Sequence, residues 1–158
     1  MKKEFTHIQD DRAVMVDIGD KAVVTRKAVA SGDIVLSRDT VEMIKTGSVE
    51  KGNVLSTARI AAILAVKRTP EMIPMCHQIP ITSVDVDFSI GEEHVSTVVE
   101  VRSLGRTGVE MEALTGVSVA LLTVWDMVKS AEKDNTGNYP HTCIRNIKVV
   151  EKIKGDQN

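Results

Sequence analysis

The sequence predicts an α+β domain, a mainly antiparallel sheet with two long helices packed on one of its faces. Three observations carry this. Residues 81–90, ITSVDVDFSI, set Val84, Val86, Phe88 and Ile90 on one side of a strand and Asp85, Asp87 and Ser89 on the other. A return strand, Val95 to Leu104, follows the turn Gly91-Glu92-Glu93-His94, completing a hairpin. Residues 54–68 and 106–134 read as helices, the second with a broad apolar arc at about 100° per residue. The element order, β, β, α, α, β, β, α, β with no internal repeat, suits a ferredoxin-like arrangement.

Taken in order, residues 1–12 are polar and predicted to be a flexible N-terminal segment, residues 13–154 are predicted to form a single α+β domain, and 155–158 a tail. A first strand is predicted over Ala13 to Ile18, a second from Lys21 to about Ala30, broken by Ser31-Gly32-Asp33. Arg26 lies on the small, apolar-leaning face of that strand, where an arginine either snorkels to the edge or is directed into a site. A short helix from Asp39 to Lys45 is stopped by Gly47. The loop from Gly47 to Asn53 is not a phosphate-binding P-loop, because Asn53-Val54 stands where Lys-Ser or Lys-Thr is required. Lys51 remains there as a solvated lysine or a phosphate contact.

The helix over 54–68 is apolar on all sides, which predicts burial and a carboxylate or ligand anion opposite its one interior charge, Arg59. Pro70, Pro74 and Pro80 make the next stretch an ordered, non-helical connection that holds Cys76 and His77 in a stiff loop. In the long helix, Thr107 and Glu110 have capping-box spacing, so it should start near Gly108 or Val109. Met111, Leu114, Val117, Leu121, Val124, Trp125 and Val128 form its predicted core stripe. The opposite side carries Glu112, Gly116, Thr123, Asp126, Lys129 and Lys133, and chemistry is expected there. A turn-rich loop, NTGNYPH, leads to a last strand over Cys143 to Ile153.

A length of 158 residues is enough for a core that folds unaided, and 42% hydrophobic with 27% charged residues is ordinary soluble composition. No uninterrupted apolar run reaches membrane-spanning length, and MKKEFTHIQDD lacks the apolar centre of a signal peptide, so a cytoplasmic setting without membrane partners is expected. Two cysteines fit a reducing compartment and exclude a four-cysteine cluster within one chain. The net charge of -2 argues against general nucleic-acid binding.

Cys76, His77, His141 and Cys143 offer zinc-ligand types, but adjacent Cys-His and a His-x-Cys lack the usual ligand spacings, so no metal site is predicted. His77 as base for a nucleophilic Cys76 is also disfavoured, since such partners are usually distant in sequence. Glu112 and Asp126 are about 40° apart around the long helix. They are roughly 21 Å apart along it. One small ligand does not reach both within a chain, whereas a symmetric oligomer brings the two ends of paired helices together.

Four segments, Thr57 to Thr69, Met75 to His77, Thr107 to Thr115 and Trp125 to Asp134, resemble in order and spacing the MoaC family, the cyclic pyranopterin monophosphate synthases of molybdenum cofactor biosynthesis. The likeness runs from about Thr6 to Lys152. It implies conversion of 3′,8-cyclo-7,8-dihydro-GTP to cyclic pyranopterin monophosphate with loss of diphosphate. By the resemblance Asp126 is the catalytic aspartate with Lys129 as its companion. Met75, Cys76, His77, Met111 and Glu112 match substrate-binding positions, and Lys51, Arg26 and Lys152 match basic positions of the pocket. It further implies a homohexamer built as a trimer of dimers, with no resident cofactor and Mg2+ as a counterion of the triphosphate. Two departures stand: Gln78 replaces the usual proline after Cys-His, and Lys152-Ile153-Lys154-Gly155 replaces the usual glycine-rich tail, leaving Lys148 and Lys154 as alternatives to Lys152.

Overall fold

In the computed structural model, which describes residues 8–9 and 12–155, a two-residue ladder comes first, β1 (Ile8–Gln9) against β2 (Arg12–Ala13). The long elements are β3 (Val24–Val35), α1 (Arg38–Thr46), α2 (Val54–Lys67), the single turn α3 (Thr69–Met72), β4 (Ile81–Ile90), β5 (His94–Gly105), α4 (Glu110–Glu132) and β6 (Cys143–Lys154). The four long strands form one antiparallel sheet in the order β4-β5-β3-β6. The crossover from β3 through α1 and α2 to β4, with β5 inserted between, is the split βαβ of the ferredoxin-like plan, and the predicted fold class holds. The flexible segment predicted over 1–12 lies mostly outside the described residues.

The core is valine- and alanine-rich, with Ala28, Ala30, Ile34, Val99, Val101, Val117, Leu121 and Val124 fully buried between sheet and helices. Small side chains let the layers approach closely. At Gly116 a Cβ would come within 2.8 Å of Val66 on α2 and 3.1 Å of Val99 on β5. At Gly32 it would meet Val117, Leu121 and Ile147 at 2.9 to 3.0 Å. α4 by length and composition would suffice to cross a membrane, but charged residues interrupt it and its apolar side is buried as the central core helix.

Several expectations are corrected. The first strand does not run over Ala13 to Ile18; after β2 the chain is irregular, because it lies across a cavity rather than along a sheet. β3 continues through Ser31-Gly32-Asp33, since Gly32 faces α4 and Asp33 is held by Ser96 Oγ at 2.6 Å and Asn146 Nδ2 at 2.8 Å. Thr69–Met72 forms a helical turn where only irregular chain was expected, with Pro70 placed in the first turn that tolerates it. α2 is not buried all round: Ala58, Ala62 and Val66 face inward while Ile60 and Leu64 are exposed. Arg59 therefore lies in solvent over the Phe88 ring, 5.9 Å from its centroid, with no anion needed to neutralise it.

α4 also starts without the capping box. Val109 is its N-cap with no side-chain cap, and the Glu110 carboxylate instead pairs with Lys152. The buried arc is rotated from the predicted one towards Ala113, Gly116 and Ala120, because α4 packs on α2 as well as on the sheet and the contact selects small residues. Met111 is consequently exposed at 40%, and Glu112, expected on the open face, is 2% exposed.

Candidate active site

The two ends of α4 carry two separate groups of side chains. At its N-terminal end a cavity of about 530 Å³ is bounded by Met75, Cys76, His77, Met111 and Glu112, the five residues expected at the substrate. The proline-rich loop brings the first three over the start of α4. Across the opening lie Val16, Ile18 and Lys21 of the irregular chain before β3. That strap is tied down at several points. His77 Nε2 pairs with Val16 O at 2.7 Å, while Arg106 donates to Gly19 O and, at 3.0 Å, to Lys21 O.

Burial sets the electrostatics here. The Glu112 carboxyl is pushed above the usual carboxylate range, chiefly by loss of water and further by the charge of Glu110. Burial, with the Glu112 charge, likewise raises the Cys76 thiol, so it is a weak nucleophile. Glu110 lines the same cavity and binds Lys152 of β6, which places that lysine at the rim. Arg26 lines a separate recess with Lys27, Arg102 and Ser103; its Nη2 donates to Arg106 O at 3.3 Å, and its buried Nε has no hydrogen-bond partner among the described residues.

The C-terminal group consists of Lys51, Asp126 and Lys129. Lys51, from the loop after α1, donates to Asp126 Oδ2 at 2.9 Å and to Asp126 O at 2.7 Å; Lys129 donates to Asp126 Oδ1 at 2.7 Å. Hydrogen bonds from Lys129 and then Lys51 lower the Asp126 carboxyl to about 2. The same carboxylate raises Lys129. All three side chains are about half exposed, so the cluster is open to a ligand.

The structure thus brings most of the expected residues into two groups, leaves Arg26 in a third recess, and does not bring Asp126 to Glu112. Fourteen positions of helix separate them, roughly 21 Å of rise. Sequence reasoning missed Lys21, Arg106 and Glu110. Lys21 and Arg106 had been read as the first residues of a strand and of the long helix, whereas both lie in irregular chain, and Glu110 had been assigned to a cap. Among the described residues, no three His, Cys, Asp or Glu side chains are grouped as metal ligands are.

An open cavity beside a helix start, and a carboxylate between two ammonium groups at the other end, are features of an enzyme acting on a small molecule, with charged groups able to move protons. Residues 15–155 match the MoaC family, and the chain belongs to it. It is 72% identical to a probable cyclic pyranopterin monophosphate synthase of Methanosarcina acetivorans over 98% of both chains. Proteins of the same name from Methanosarcina mazei and Thermococcus kodakarensis are 73% and 57% identical, each over 98% of this chain and 99% of the relative.

Proposed function

We propose that this chain is a cyclic pyranopterin monophosphate synthase, a lyase that converts 3′,8-cyclo-7,8-dihydro-GTP to cyclic pyranopterin monophosphate and diphosphate in molybdenum cofactor biosynthesis. The observation that carries the reading is the identity of 72% across 98% of both chains, which extends over both ends of α4. The geometry supplies chemistry for each group. Glu112 and His77 hydrogen-bond the guanine-derived edge in the cavity. Arg26, Lys152 and Lys51 stabilise charge developing on the phosphates as diphosphate leaves and the cyclic phosphate closes.

Asp126 moves protons during ring opening and reclosure, with Lys129 as its partner. In the free chain it is a weak base, because two ammonium groups hold it ionised. Substrate phosphate drawing Lys51 away raises its proton affinity at the moment of use. The active unit in this reading is a homohexamer, a trimer of dimers, whose pockets take the N-terminal group of α4 from one subunit and the C-terminal group from another. No resident cofactor is expected, Mg2+ entering as counterion of the triphosphate, and the setting is the cytoplasm. Incubation of the purified chain with the cyclic GTP derivative, followed by mass spectrometry, should show the pterin product and free diphosphate. Recovery of unchanged substrate would overturn the proposal.

A further inference from the structure

Between α1 and the C-terminal half of α4 lies a cavity of about 490 Å³, with Met43, Val49 and Lys51 on one wall and Met127 and Val128 on the other. α1 and the loop after it pack on the core through the buried Val41 and Val49, leaving the cavity against α4. They are tied to it at two ends. One tie is Lys51 on Asp126. The other is Glu132, in the last turn of α4, whose side chain is buried although it carries a carboxylate.

Glu132 is fully engaged by donors from outside its own helix. Ser37 N reaches Oε1 and Oε2 at 3.1 and 3.3 Å, Ser37 Oγ donates to Oε1 at 2.8 Å, and Thr142 Oγ1 donates to Oε2 at 2.5 Å. Ser37 is also the N-cap of α1, its Oγ accepting from Thr40 N. Fixing Ser37 therefore fixes where α1 begins. The helix is a rigid rod of nine residues closed at its far end by Gly47, in the left-handed conformation, and Lys51 follows four residues later.

We infer that Glu132 is a positioning residue for the Lys51–Asp126 pair, anchoring the start of α1 so that the loop after it delivers Lys51 to Asp126 across the cavity. For its effect on turnover the inference rests on the proposed function; for the geometry it does not. Two charged groups contact Asp126, Lys51 from the loop and Lys129 from α4, and Tyr139 lies beside Lys129. The hydrogen bonds to Glu132 also hold its own carboxyl below the usual range against the effect of burial, so it stays ionised and able to accept all of them at neutral pH.

The test uses the full chain carrying Glu132→Gln, which keeps the volume but removes the charge and an acceptor, and separately Ser37→Ala, which weakens the same tie from the other side. The Asp126 side-chain carboxyl is titrated by carbon-13 NMR in each, with Lys51→Ala as reference, and turnover is measured alongside. The expected result is a rise of the Asp126 midpoint toward that of Lys51→Ala, with kcat/KM down about tenfold. An unchanged Asp126 titration in both variants, whatever happens to melting temperature, would overturn the inference and leave Glu132 a purely structural residue. Should Glu132→Gln fail to fold, the Ser37→Ala titration decides alone. A shifted titration beside full turnover by folded Asp126→Ala would sustain the positioning and overturn the catalytic reading instead.

Discussion

At the scale of single residues, the two carboxyl groups the site depends on are perturbed in opposite directions. Asp126 is open to solvent and lowered by two lysines, whereas Glu112 is buried and raised. Their consequences for stability follow by linkage. The folded-state value of Asp126 is depressed from 3.8 to about 2, so its contribution is present above the ordinary value and lost as pH falls through that window. Glu112 works the other way: its folded form holds the proton more tightly, so stability falls as pH rises above its ordinary 4.5. Replacing it with the uncharged isostere should remove that cost. Glu112→Gln is expected to melt higher than the parent at about pH 8 and equally at about pH 4, which urea or thermal melts would check. Asp126→Ala is expected to abolish product formation while melting within a few degrees of the parent, since a solvent-exposed ion pair contributes little to stability. A folded Asp126→Ala protein with near-parental turnover would remove the central assignment.

Among the elements, the strands and the last helix were legible where local pattern and tertiary demand agree. The hairpin of β4 and β5 could be read because its apolar and acidic residues alternate on a half-buried sheet, and β6 because its ends coincide with a turn-rich loop and the tail. What could not be read was set by contacts at a distance. Gly32 looks like a strand breaker in isolation, yet it is the place where α4 crosses β3. The rotation of α4 was missed for a related reason: a stripe judged by large apolar residues points to Met111 and Trp125, while the close approach of α2 selects Ala113, Gly116 and Ala120. Glu112 was carried with that error from the buried side to the open one. Of the candidate site, residue identities were legible through motif order, but their division into two groups needed the helix to be placed. Gly116→Ala tests the packing account directly. With Val66 and Val99 already at contact, the added methyl should cost about 1 to 3 kcal/mol, read as a lower denaturant midpoint at unchanged slope. Ordinary helix propensity predicts the reverse sign, a gain near 1 kcal/mol for replacing a mid-helix glycine. The sign of the change therefore decides between them.

For the whole molecule, the division of the site is itself an argument about assembly. The cavity with Glu112 and the cluster with Asp126 are both open to solvent, both contain residues expected at one substrate, and they are held roughly 21 Å apart by a continuous helix. No rotamer change closes that distance. The proposed antiparallel apposition of two α4 helices across a twofold axis would, setting the start of one beside the end of the other to form two equivalent pockets. Complementation between inactive variants is the expected consequence. Glu112→Ala and Asp126→Ala subunits, mixed in equal amounts after partial denaturation to exchange chains, should form mixed dimers in which one pocket carries both lesions and its twin carries neither. With random exchange half of the dimers are mixed, so activity should return to about a quarter of the parental level. Mass spectrometry of the assembled species establishes that exchange took place. If mixed dimers form and remain inactive, Glu112 and Asp126 do not meet across a subunit boundary, and the long helix must instead serve two distinct sites.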